Sequence, residues 1–203
     1  MKRNSVKSKV FRSISAQSKG RAFCAIDFLR FGQQGAINQA LHRLAAEGRI
    51  RRVAQGVYDL PARHPTFGEL PPRPEGVAQA LARKQGHVLQ MSGAAAANAL
   101  GLSTQVPARI VYLTSGTGGS VRVGNRTVEF RRTSPLLAPG TQVGNVFQAV
   151  KHLKRLSRTE VEQLRAVLSE SEKGALAKHV AAFPVWAREG IRSAVAPDLP
   201  TAA

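Results

Sequence analysis

Apolar positions near the start of the chain fall at Val6, Val10, Phe11 and Ile14, with Lys2, Arg3, Lys7, Lys9 and Arg12 around them. This three-and-four spacing predicts an amphipathic basic helix within Met1–Ser18. Ala22 to Phe31 is short and apolar and stops at Gly32, which predicts a second helix. A third is expected over Gln34–Glu47, where Ile37, Ala40, Leu41 and Leu44 form one stripe. Gly48 follows, where a left-handed residue commonly closes a helix. The period then shortens. Within Ile50–Leu60, two short apolar stretches flank Gln55-Gly56, the pattern of a hairpin. Residues 1–60 therefore read helix, helix, helix, hairpin.

Pro61–Pro74 holds five prolines, at 61, 65, 71, 72 and 74. Proline fixes φ and lacks a donor, so this segment is expected to be a semi-rigid domain linker. Beyond it, helices are expected at Glu75–Lys84 and at Gly93–Leu100, the latter between Ser92 and Gly101. Strands are expected at His87–Met91 and Arg109–Thr114. A hairpin should place Gly124-Asn125 between Val121–Val123 and Thr127–Arg131. Gly144–Leu156 reads as a helix. Ser157 to Glu160 forms a capping box that opens the next one, with Val161, Leu164 and Leu168 on one face. Ser171–Phe183 ends at Pro184, and residues 197–203 read as a frayed tail. The expected class is α+β: a winged helix-turn-helix at 1–60, a linker at 61–74, and a mixed α/β domain with C-terminal helices at 75–196.

Charge sharpens this picture. Among 203 residues, 30 are Lys or Arg and 12 are Asp or Glu, a net charge of +18. Residues 1–60 carry 12 basic and 3 acidic residues, against 9 and 6 in residues 136–203. A basic excess concentrated at one end favours a polyanionic partner. In the helix–helix–hairpin arrangement, the face of the third helix opposite Ile37, Leu41 and Leu44 would meet DNA. Gln33, Gln34, Asn38, Gln39 and His42 lie on or near that face. Asn and Gln can pair bidentately with adenine, and Arg with guanine or phosphate. Arg43, Arg51 and Arg52 are expected to hold phosphates, Arg49 leads with Arg51 and Arg52 into the hairpin, where a wing would meet backbone or minor groove, and Gln55 in its turn is a further expected DNA contact. No acidic residue stands on this helix before Glu47. Double-stranded DNA is the expected partner.

The run Ala40-Leu-His-Arg-Leu44, Glu47-Gly-Arg-Ile50, Arg52-Val-Ala-Gln-Gly-Val-Tyr58 and Pro61 resembles the winged-helix domain of AbiEi-like antitoxins. Ser92 to Gln105 and Val111-Tyr-Leu-Thr-Ser-Gly116 resemble the region that follows it in the DUF6088 branch of that family. The resemblance covers roughly residues 1–150. It implies a bacterial antitoxin of a type IV toxin–antitoxin or abortive-infection system, which represses its own promoter through the winged helix. It also implies that the second domain opposes a nucleotidyltransferase-like toxin without a stable complex.

Other chemistries find little support. Gly116-Thr-Gly-Gly119 lacks the Lys-Ser/Thr ending of a phosphate loop. The five histidines show no metal-ligand spacing, and Cys24 reads as a small buried side chain. No nucleophile is paired with a base, so neither catalysis nor a cofactor is expected. No apolar run reaches the roughly 18 residues of a membrane span, and a cytoplasmic protein without membrane contact is expected. The basic and apolar mix of Val150–Leu156 is compatible with phosphate contacts or an ordinary surface helix. Two other readings are a plain winged-helix regulator whose second domain binds a partner protein directly, and a non-specific nucleic-acid-coating protein. The sequence is compatible with a monomer or a dimer.

Overall fold

Ser5 opens the first helix: its hydroxyl accepts the Ser8 N–H at 3.2 Å, satisfying a donor that the helix start leaves without a backbone partner. The computed structural model describes residues 5–133 and 136–196. Lys2, Arg3 and the expected tail at 197–203 lie outside the described residues. Helix α1 spans Val6–Ser15 and buries Val10 and Ile14.

The second expected helix is different in kind. Ala22–Cys24 is a buried strand, β1, and only Ala25–Phe31 is helical, as a 3-10 segment. A ten-residue apolar run does not by itself choose between strand and helix. Here long-range pairing decides. β1 runs antiparallel to a later strand, with Phe23 opposite Tyr58 and Cys24 opposite Val57. The Asp27 carboxylate accepts the Cys24 N–H at 2.9 Å and starts the 3-10 turn there. Phe23 and Phe28 then meet edge to face, 5.5 Å between centroids.

Helix α2, Gln34–Ala46, buries Ile37, Ala40, Leu41 and Leu44, the stripe expected from sequence. Gly48 follows it with φ +67°. Strands β2, Arg51–Ala54, and β3, Val57–Asp59, form the expected hairpin. Gly56 supplies the positive φ of its turn, +71°. The first sheet has the order β1-β3-β2.

The proline-rich segment is not a bare linker. It carries a small hairpin, β4 (Arg63–His64) and β5 (Gly68–Glu69), with the Phe67 ring 4.8 Å from that of His64. Pro74 then becomes the first residue of helix α3, Pro74–Gln85, a position where its missing N–H costs nothing. The remaining elements are β6 (Leu89–Met91), α4 (Gly93–Ala99), β7 (Ile110–Thr114), β8 (Gly119–Val123), β9 (Arg126–Arg132), α5 (Gln142–Leu153), α6 (Arg158–Val167), α7 (Glu170–Ala177), a 3-10 turn at Val180–Ala182, and α8 (Val185–Val195). Strands β6 to β9 have the order β6-β7-β9-β8. The class is α+β with helices at the C-terminal end.

The chain divides into two compact units, residues 1–88 with 118–129, and residues 89–117 with 130–203. This differs from a boundary at the prolines. Helix α3 packs on β1, β3 and the 3-10 segment, so it belongs with the first unit. Its buried face is Val77, Ala78, Ala80 and Ala82, and Gly76 lies over Ala22. Arg83 fastens its end, donating to both Asp27 carboxylate oxygens at 3.0 and 3.1 Å. The β8–β9 turn also returns to this unit, where β8 lies against β2.

In the second unit, α4 packs tightly on α5. A Cβ on Gly93 would stand 2.5 Å from the His152 Cβ and 2.7 Å from the Gln148 carbonyl oxygen. The core joins Ala97, Leu100, Val146 and Val150 to Leu164, Leu176, Phe183 and Ile191 of the later helices. Its buried amide, Gln90, is satisfied: it donates to Asn145 Oδ1 at 2.6 Å and accepts the Gly140 N–H at 2.9 Å. Capping boxes at Ser157/Glu160 and Ser169/Glu172 open α6 and α7. Among the described residues, no helix is long and apolar enough to cross a membrane.

Candidate nucleic-acid interface

Burial of Ile37, Leu41 and Leu44 turns the opposite side of α2 outward. Gln33, Gln34, Asn38, Gln39, His42 and Arg43 are all exposed. The β2–β3 hairpin stands beside that side. Together they enclose an open groove of about 460 Å³, walled by Asn38, Gln39, His42 and Arg43 from α2 and by Arg52, Gln55, Gly56 and Tyr58 from the hairpin. Six of the ten residues expected to contact DNA thus line one concavity. Gln33 and Gln34 stand at the N-terminal end of α2, outside this lining.

Arg51 and Arg49 have other engagements. Arg51 faces Asp59 across the hairpin. Its Nε donates to Asp59 Oδ1 at 3.0 Å and its Nη2 to Oδ2 at 2.6 Å, and Nη2 also donates to the Leu70 carbonyl. The Asp59 side chain is wholly buried, so this forked pair neutralises a charge inside the fold. Its planar fork is engaged with the carboxylate inside the fold. Arg49 is half-buried, with its guanidinium carbon 3.5 Å from the Phe11 ring centroid. It packs α2's end onto α1 instead of reaching outward.

Lys84 is a contributor the sequence did not reveal. It comes from the end of α3 and donates from Nζ to the Gln55 carbonyl at 2.8 Å, placing a third cation in the groove beside Arg43 and Arg52. A Cβ on Gly56 would lie 3.0 Å from this ammonium, so glycine serves both the turn and the close approach. The only available signal was a basic residue in the last turn of a helix. Its distance in sequence from Gln55 hid the contact.

The acidic residues explain the field. Residues 1–60 contain Asp27, Glu47 and Asp59. Each is paired, with Arg83, Lys7 and Arg51 respectively. Burial by itself would raise the Asp27 carboxyl. The hydrogen bonds from Arg83 and from the Cys24 N–H outweigh it and hold the group below its ordinary value. Cys24, fully buried beside it, is pushed upward by burial and then by the Asp27 charge, which keeps it a thiol. Among the described residues, no carboxylate lines the groove. What faces outward is three cations, two amides on α2, an imidazole and the Gln55 amide. This set can donate to phosphates and exchange hydrogen bonds with base edges.

Gly116–Gly119 leads into strand β8 and not into a helix. Among the described residues, no three His, Cys, Asp or Glu side chains gather as a metal site would require.

Comparison with curated proteins and with solved structures finds no match. A family model does match, over residues 9–176, which takes in both the groove and most of the second unit. The chain therefore belongs to DUF6088, a family of unknown function.

Proposed function

We propose that this protein is a DNA-binding transcriptional repressor that acts as the antitoxin of a type IV, AbiE-like operon in the bacterial cytoplasm. The observation that carries the DNA-binding part is the helix–hairpin groove, lined by three cations and three side-chain amides with no carboxylate. In this reading the 3-10 segment and α2 are the helix-turn-helix, α2 enters the major groove, and β2–β3 is the wing. Asn38, Gln39 and His42 read bases. Arg43, Arg52 and Lys84 hold phosphates, and Gln55 sits at the wing tip. Gln33 and Gln34 stand where the open N–H groups of α2 favour a phosphate.

The antitoxin part is supported by the resemblance of residues 40–61 and 92–116 to AbiEi-like antitoxins. The second unit would counter a nucleotidyltransferase-like toxin, without a stable complex. Co-expression with such a toxin from the neighbouring gene is expected to restore growth, and persistent arrest would contradict this part.

Selection from a randomised duplex tests the DNA reading. The wild-type protein should enrich a defined motif. Asn38→Ala should relax one position of it, by about 1–3 kcal/mol for a lost bidentate contact. Equal discrimination by wild type and variant would remove Asn38 from base readout, and no enrichment by either would remove the repressor reading.

A further inference from the structure

A second basic concavity lies elsewhere on the first unit. It encloses about 370 Å³ between the C-terminal half of α1 and the end of the 3-10 segment, and it is lined by Lys9, Arg12, Ser13 and Gln17 facing Arg30 and Phe31. Among the described residues, no carboxylate lines it. Lys9 and Arg12 are exposed, three apart on one helix face, and neither forms an ion pair among the described residues. This contrasts with Lys7 on the same helix, which is paired with Glu47. Arg30 is already oriented from the other wall. Its Nη2 donates to Ser13 Oγ at 3.0 Å, and its guanidinium carbon sits 4.7 Å from the Phe31 ring centroid. Three like charges converging on one hollow repel one another, and an anion between them relieves that repulsion.

We propose that this concavity is a second phosphate-binding groove for the DNA backbone, resting on the DNA-binding reading above. Its placement argues for the backbone as the source of the anion. Phe31 stands three residues before Gln34, the first residue of α2, so the hollow adjoins the N-terminal end of the helix that would enter the major groove. Phosphate contacts beside a reading helix fix its register on the duplex without reading sequence. Lys9, Arg12 and Arg30 are then positioning residues, set apart from the base-reading side of α2.

The test is the salt dependence of DNA binding. Lys9→Gln with Arg12→Gln changes two exposed side chains, and an unchanged melting temperature checks that the fold is intact. Binding is titrated against the DNA upstream of the protein's own gene and against an unrelated duplex of equal length. The slope of log K against log salt should become shallower by about 1.8 on both, the share of two phosphate contacts. The protected site should keep its position. A control, Lys178→Gln with Arg192→Gln in the second unit, should leave the slope unaltered.

An unaltered slope for the α1 variant while wild type protects a discrete site overturns the groove and leaves the repressor reading intact. A shallower slope with no discrete site in wild type supports the groove and overturns the repressor reading. An equal change in the control overturns the groove, since bulk charge alone then accounts for the effect.

Discussion

Arg51 and Arg52 are neighbours in sequence with opposite roles. Arg51 is the partner of the buried Asp59, while Arg52 is exposed on the wall of the groove. Removing Arg51 leaves an unpaired charge inside the hairpin. Arg51→Ala should cost about 3–5 kcal/mol of stability, read as a lower urea midpoint. Arg52→Ala should leave that midpoint in place and weaken binding to every duplex alike. Identical urea curves for Arg51→Ala and wild type would refute the structural role. Asp27 gives a pH prediction. Its carboxyl is held below the ordinary 3.8, so the native state binds fewer protons than the unfolded chain in that range. The stability it contributes is fully present above pH 3.8 and is lost as pH falls through its lower folded value. Arg83→Gln should flatten this acid dependence. A variant with the wild-type acid limb would mean that Arg83 does not hold the carboxylate.

At the level of elements, the sequence was most legible where a period was long and locally capped. The buried stripe of α2, the Gln55-Gly56 turn and the Ser157/Glu160 box are all present. These depend on neighbours within four residues. Ala22–Cys24 departs from the expected helix because its conformation depends on pairing with Val57–Asp59, more than thirty residues away. The β4–β5 hairpin was hidden by the prolines around it. Helix α8 was not delineated, although Pro184 before Val185 and the buried Ala187, Ile191 and Ala194 are the signal that marks it. The α4–α5 contact makes its own prediction. Gly93→Ala pushes α4 off α5 and should destabilise the protein by about 1–3 kcal/mol, because the atoms in the way include the Gln148 carbonyl oxygen. A melting temperature equal to wild type would mean that the two helices part without cost.

For the whole molecule, charge and the candidate groove were readable, while the division of the chain was not. The excess of cations toward the N-terminus survives folding because Asp27, Glu47 and Asp59 are each neutralised by a cation outside the groove lining. Sequence could show which residues were basic, but it could not show which cations those acids engage. The Arg51–Asp59 pair and the approach of Lys84 to Gln55 are visible only in the fold. The proline-rich segment reads as a boundary, yet α3 packs back on β1 with a buried face of one valine and three alanines, a pattern that small side chains leave faint.

The most direct test of the central claim is a footprint on the DNA upstream of this protein's own gene, repeated across a salt series. A sequence-specific repressor gives a discrete protected site that survives moderate salt, and Asn38→Ala blurs its edges. Diffuse protection that vanishes as salt rises would contradict the claim, leaving the net charge of +18 as the sole cause of binding.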